Sequence, residues 1–81
     1  MRDNIEAHRF EIGEAGQVVF ANYRREGDRL YIDHVEAPMA LRGTGAASAL
    51  MEAIVEQARA EGRVIMPVCG YAAAWLKRRG L

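Results

Sequence analysis

The clearest periodic pattern in the chain follows Pro38. Apolar residues fall at Ala47, Leu50, Met51, Ile54, Val55 and Ala58, the i, i+3, i+4, i+7, i+8, i+11 spacing of one buried helical face. Glu52, Glu56, Gln57 and Arg59 lie off that face, and Gly62 stands where a helix stop is expected. Ahead of this helix the period changes from helical to alternating. Arg9-Phe10-Glu11-Ile12 reads as a short strand, and Gln17 to Arg25 is rich in β-formers (Val18, Val19, Phe20, Tyr23). Arg29 to Glu36 alternates most cleanly, with Leu30, Ile32, His34 and Glu36 on one face and Tyr31, Asp33 and Val35 on the other. Beyond the helix, Arg63 to Val68 is apolar on both faces, as a covered strand is. Tyr71 to Arg79 is a second, short helix ended by Gly80.

Turns separate these elements. Gly13-Glu14-Ala15-Gly16 and Glu26-Gly27-Asp28 are short enough for hairpins, so the first three strands form an antiparallel meander. Strand, helix, strand is a crossover that sets the last two strands parallel. The predicted order is β-β-β-α-β-α, an α+β sheet with helices packed on it. Met1 to Ala7 is polar and expected to fray, leaving residues 1–8 as a flexible N-terminus and 9–81 as a single domain.

Composition narrows the function classes. Eighty-one residues, 51% of them hydrophobic, suffice for one small domain with a modest core. Eleven basic and eleven acidic residues cancel, which argues against generic binding to nucleic acid or an acidic membrane. The local excess Lys77-Arg78-Arg79 is the solvated last turn of a helix. A single cysteine permits no intramolecular disulfide and no cysteine-based metal site, and no metal is expected. With no apolar run near ~18 residues and no signal-peptide pattern, the expected setting is cytoplasmic.

Candidate chemistry gathers around the turn Arg42-Gly43-Thr44-Gly45-Ala46-Ala47. Its residues are small, so a ligand can approach the backbone. The helix that follows begins with N–H groups that lack intrahelical partners and carry the positive end of the helix dipole, a natural seat for phosphate. The alternative is a tight strand-to-helix connection in which the glycines only relieve strain. The Lys-Ser/Thr pair of a P-loop and an in-register GxGxxG are both missing. Three further residues stand out. His34, on the Leu30/Ile32 face, is either a core histidine or a reactive one. Cys69 follows the last strand and is either packing or a thiol activated by a helix N-terminus. Glu36 ends the third strand, most simply as a solvated side chain. With the two parallel strands as neighbours, His34, Glu36, Cys69 and the turn converge on one sheet edge.

Taken in order, Arg9-Phe10-Glu11, His34-x-Glu36, Pro38, Arg42-x-x-Gly45-x-Ala47 and Pro67-Val68-Cys69 followed by Tyr71 resemble the small single-domain (YjdJ-like) branch of the GNAT superfamily of N-acetyltransferases. The resemblance runs from about Arg9 to Arg79. It implies a co-substrate, acetyl-coenzyme A, in a cleft where the last two strands splay apart. The backbone around Gly43, Thr44, Gly45, Ala46 and Ala47 would hold its pyrophosphate, with Arg42 as charged partner. The backbone of Val35 to Ala37 would pair with the pantetheine arm. His34 and Cys69 would form the active-site pair. An unidentified amine, on a small molecule or on a protein lysine or N-terminus, would be the acceptor. His34 or Glu36 would serve as base, and Cys69 or Tyr71 as the acid for the departing thiolate or, for Cys69, as a nucleophile. The alternatives are a non-catalytic coenzyme A-binding module and a protein-interaction domain.

Overall fold

The computed structural model describes residues 1–14 and 16–81. Five strands, β1 (Arg2–Asn4), β2 (Arg9–Glu14), β3 (Gln17–Glu26), β4 (Arg29–Glu36) and β5 (Val64–Pro67), form one sheet in sequential order. Helix α1 (Ala46–Glu61) connects β4 to β5, and α2 (Gly70–Arg78) follows. The α+β architecture, the antiparallel meander and the parallel β4–β5 pair agree with the sequence reading. Ala15, in the expected Gly13–Gly16 turn, lies outside the described residues.

One strand was not expected. Arg2–Asn4, in the segment read as frayed, pairs antiparallel with β2. Its three polar residues have no alternation to read, and side chains distant in sequence hold it. Arg2 and Asn4 bind the Glu11 carboxylate, while Asp3 accepts from the Tyr23 hydroxyl and from Arg25 at 2.9 Å. Glu11 is buried, and the hydrogen bonds from Arg2, Arg9 and Asn4 push its pKa down to about 2.

Both helices cover the same face of the sheet. Phe10, Val19, Ala21, Tyr23, Leu30 and Ile32 point into one cluster with Leu50, Met51, Ile54 and Ala58 of α1 and Ala72, Trp75 and Leu76 of α2. Leu50, Met51 and Ile54 are fully buried, each contributing roughly 1.5–3 kcal/mol by burial. The helical periodicity foresaw this stripe. The two helices run in the same direction. Ser48 and Glu52, one turn apart on α1, meet Trp75 of α2 at 2.8 Å and Arg79, at the C-cap one turn further on, at 2.9 Å. Their N-termini therefore share one end of the sheet. Among the described residues, no helix is long and apolar enough to cross a membrane.

Candidate functional site

β4 changes partners halfway along. Its parallel ladder with β5 runs from Arg29↔Val64 to Ile32↔Pro67 and stops. Val68 and Cys69 both donate their backbone N–H to the Ile32 carbonyl, at 3.0 and 3.1 Å. Past Ile32, β4 continues along β3 alone, with Ala21↔Val35 and Phe20↔Glu36. The backbone of Val35, Glu36 and Ala37 thus has no strand on the β5 side, and the sheet is open there.

The same point carries a β-bulge. Asn22 faces His34 while Tyr23 faces Ile32, so Asp33 has no residue opposite. One extra residue exchanges the faces of everything after it. Leu30 and Ile32 point into the core as expected, but Val35 succeeds them there and His34 does not. This corrects the face assigned to His34 and Glu36 from simple alternation. Both side chains lie on the helix-free face, each about 55% exposed, and share a 3.1 Å hydrogen bond. Phe20 on β3 meets the His34 ring edge-on.

On the other face, a pocket of about 250 Å³ sits where the two helix N-termini meet. Ala37, Arg42, Gly43, Gly45, Ala46, Ala47 and Tyr71 all line it. Six of these seven were named as cofactor-binding candidates and Tyr71 as a catalytic one. Leu41 and Ser48 also line it and escaped the sequence reading. Leu41 belongs to a 3-10 turn, Met39–Leu41, that brings the chain from the sheet edge to α1. Ser48 is tied to Trp75, whose indole N–H donates to its hydroxyl.

The shape of the turn follows from its glycines. Gly43 and Gly45 have φ of 78° and 86°, the left-handed region that other residues enter at a cost. Among the described residues, apart from each glycine's own chain neighbours, no atom lies within 4 Å of where a Cβ would stand on either, so both open onto free space. Thr44 lies outside the pocket lining, its hydroxyl donating to the Leu41 carbonyl at 2.5 Å and accepting from Ala46 N–H at 3.3 Å. Arg42 reaches back to the Ala37 carbonyl at 3.3 Å.

The donor inventory at this end is unusual. Gly45 caps α1 without a side-chain hydrogen bond, and no acid stands in the first turn. Cys69 caps α2 likewise, again with no acid in the first turn. Among the described residues, the backbone N–H groups of Gly43, Gly45, Ala47, Ser48, Gly70 and Tyr71 have no partner. Two helix dipoles end here with their donors free, and Arg42 adds a full charge. Such a place favours a phosphate or pyrophosphate.

His34 and Cys69, expected as a pair, share no hydrogen bond among the described residues. His34 bonds to Glu36 across the open face, while Cys69 is half-buried against the core cluster.

These features define an α+β protein with a sheet that splits between two parallel strands and a glycine turn with free backbone donors beside the split. The family of GCN5-related N-acetyl-transferases matches the chain over residues 9–80, and the chain belongs to that family. No curated protein matches it.

Proposed function

We propose that the chain is an acetyl-coenzyme A-dependent N-acetyltransferase that acts by direct transfer to an amine. The free N–H groups of two helix N-termini, gathered with Arg42 at one pocket, carry this reading. They fit the pyrophosphate of the acyl donor, whose chain would pass along Val35 to Ala37, on the side of β4 that β5 leaves open, and through the gap beyond Ile32. The thioester would then emerge beside the helix-free face, where His34 and Glu36 stand.

The amine nitrogen attacks the thioester carbonyl carbon, and the C–S bond breaks. The His34–Glu36 pair takes the proton that the amine must lose. Cys69, at the end of β5, or Tyr71 supplies a proton to the departing thiolate. An acetyl-cysteine route needs a base beside the thiol, and His34 stands on the helix-free face while Cys69 packs against the core cluster, which favours direct transfer.

Thermal unfolding with and without acetyl-coenzyme A tests the reading. A ligand at ~100 times its dissociation constant stabilises by about 2.7 kcal/mol, a shift of roughly 10 °C or more for a domain of this size. Trp75 fluorescence should change with it, because its indole holds the pocket residue Ser48. An unchanged melting curve at millimolar co-substrate would sink the proposal.

A further inference from the structure

A larger groove lies away from the proposed pyrophosphate seat. It occupies about 540 Å³ between the C-terminal half of α1, the far side of α2 and strand β5. Its walls include Val55 and Ala58 of α1, Ile65 and Pro67 of β5, and Leu76 of α2. Arg59, Arg63 and Lys77 supply the charge around it, and none of its lining residues is acidic. Arg63 is engaged by Glu61, and Arg59 by an exposed Glu56 pair at 3.0 Å, worth little against a competing carboxylate. Lys77 has no ion pair among the described residues.

The strand beside this groove is the open edge of the sheet. Among the described residues, β5 pairs only with β4. Val64 and Val68 donate their N–H groups toward β4, so by the two-residue alternation Ile65 and Pro67 turn their backbone to the free side. Val64, which also lines the groove, and Val68 are each 60% exposed. A natural edge strand is usually blunted by charge. This one has proline at Pro67 but leaves Ile65 able to donate and accept.

We infer that β5 and the groove beside it dock an extended polypeptide, apolar in its centre and acidic at its flanks, that carries the acceptor lysine. Such a segment adds a strand at Ile65, sets apolar side chains into the groove beside Val64 and against the exposed Val68, and places carboxylates near Lys77 and Arg59. Following β5 toward Pro67, it arrives where the β4–β5 ladder ends, beside the proposed site of transfer. The acceptor role rests on the transferase reading, whereas the docking does not.

Two labelled peptides with identical alternating valines and one terminal lysine, one with glutamates between the valines and one with arginines, separate the possibilities. Fluorescence anisotropy without co-substrate should show the glutamate peptide binding at least about tenfold more tightly, with the advantage shrinking as salt rises. The Arg59→Glu/Lys77→Glu variant should reverse the order, and circular dichroism checks that it is folded. Equal binding of the two peptides, no binding at millimolar peptide, or an order that survives charge reversal would overturn the inference. So would self-association of the chain that Val64→Glu abolishes, since the edge would then belong to a second copy. Binding of the glutamate peptide by a chain whose melting is unmoved by acetyl-coenzyme A would leave the docking surface standing and refute the transferase.

Discussion

The two ends of α1 are built on opposite principles. At its C-terminus, Gly62 takes φ of 68° and its N–H returns to the Ala58 and Arg59 carbonyls. Glu61, the last helical residue, is held by Arg25 at 2.7 and 2.9 Å, by Gln57 at 2.6 Å and by Arg63. Arg25 also reaches Asp3 and the Tyr23 hydroxyl, so this end knits α1 to β1 and β3. At its N-terminus the helix has no side-chain cap, no acid and a row of unpartnered N–H groups. One end spends its polar groups on holding the chain together; the other leaves them for something else. A cap of serine or aspartate is a common way to stabilise a helix start; Gly45 supplies no side-chain acceptor, so the first N–H groups of α1 stay open to an external one.

The largest effect expected from breaking this contrast is at the saturated end. Hydrogen bonds from Arg25, Gln57 and Arg63 push the Glu61 carboxyl pKa down to about 2. A lowered folded-state value stabilises the fold above the unfolded value of about 4.5. That contribution is lost as pH falls from there through about 2. Glu61→Gln should therefore cost about 2 kcal/mol near neutral pH, the range for hydrogen bonds to a charged group. The melting temperature would drop by roughly 10 °C. The gap between wild type and variant should narrow steadily below pH 4.5 and nearly close at pH 2. A pH-independent gap in denaturation curves would mean that Glu61 acts by packing rather than by charge. Coenzyme A affinity of the folded variant should be unaffected.

The next effect is at the open end, and it separates charge from backbone strain. Gly45→Asn and Gly45→Asp both force a side chain onto a left-handed φ, costing each about 1 kcal/mol of stability. Only the aspartate puts a negative charge among the free donors. Its affinity for coenzyme A should fall at least about tenfold below that of the asparagine variant, a difference of ~1.4 kcal/mol. Titration of Trp75 fluorescence measures both. Equal affinities in the two variants would remove the turn from the anion site.

How much of this was legible in the sequence depended on how local the cause was. The α1 stripe from Ala47 to Ala58 was readable because helical periodicity is imposed by residues within a few positions of one another. The glycines of the Gly43–Gly45 turn were readable for the same reason. The face of His34 was not. A single unpaired residue, Asp33, shifts the strand's phase, and neither glycine nor proline marks it. β1 was invisible because Arg2–Asn4 is held by Glu11, Tyr23 and Arg25, residues that only the folded sheet brings near. Tyr71 shows the intermediate case. The resemblance makes it an acid for the leaving thiolate, and it lines the pocket together with Ala46 and Ala47. The parallel course of the two helices, which only tertiary packing fixes, puts it there.

The smallest expected effect concerns what shapes the open end. Thr44 is the one side chain of the turn with hydrogen bonds on both sides, donating to the Leu41 carbonyl and accepting from Ala46 N–H. If those bonds set the turn, Thr44→Ala should loosen the donor row and lower coenzyme A affinity severalfold, with Thr44→Ser restoring it. The positive φ of Gly43 and Gly45, however, already fixes the chain reversal without help from a side chain. The Thr44 hydroxyl is solvent-exposed, where a hydrogen bond is worth about 0.5–1 kcal/mol at most. Thr44→Ala is therefore expected to lower stability by no more than that and to change affinity by less than about threefold. It would also free the Ala46 N–H, adding one donor to the row. An affinity equal to or slightly above wild type would place the recognition in the backbone, while a tenfold loss would move it to the hydroxyl.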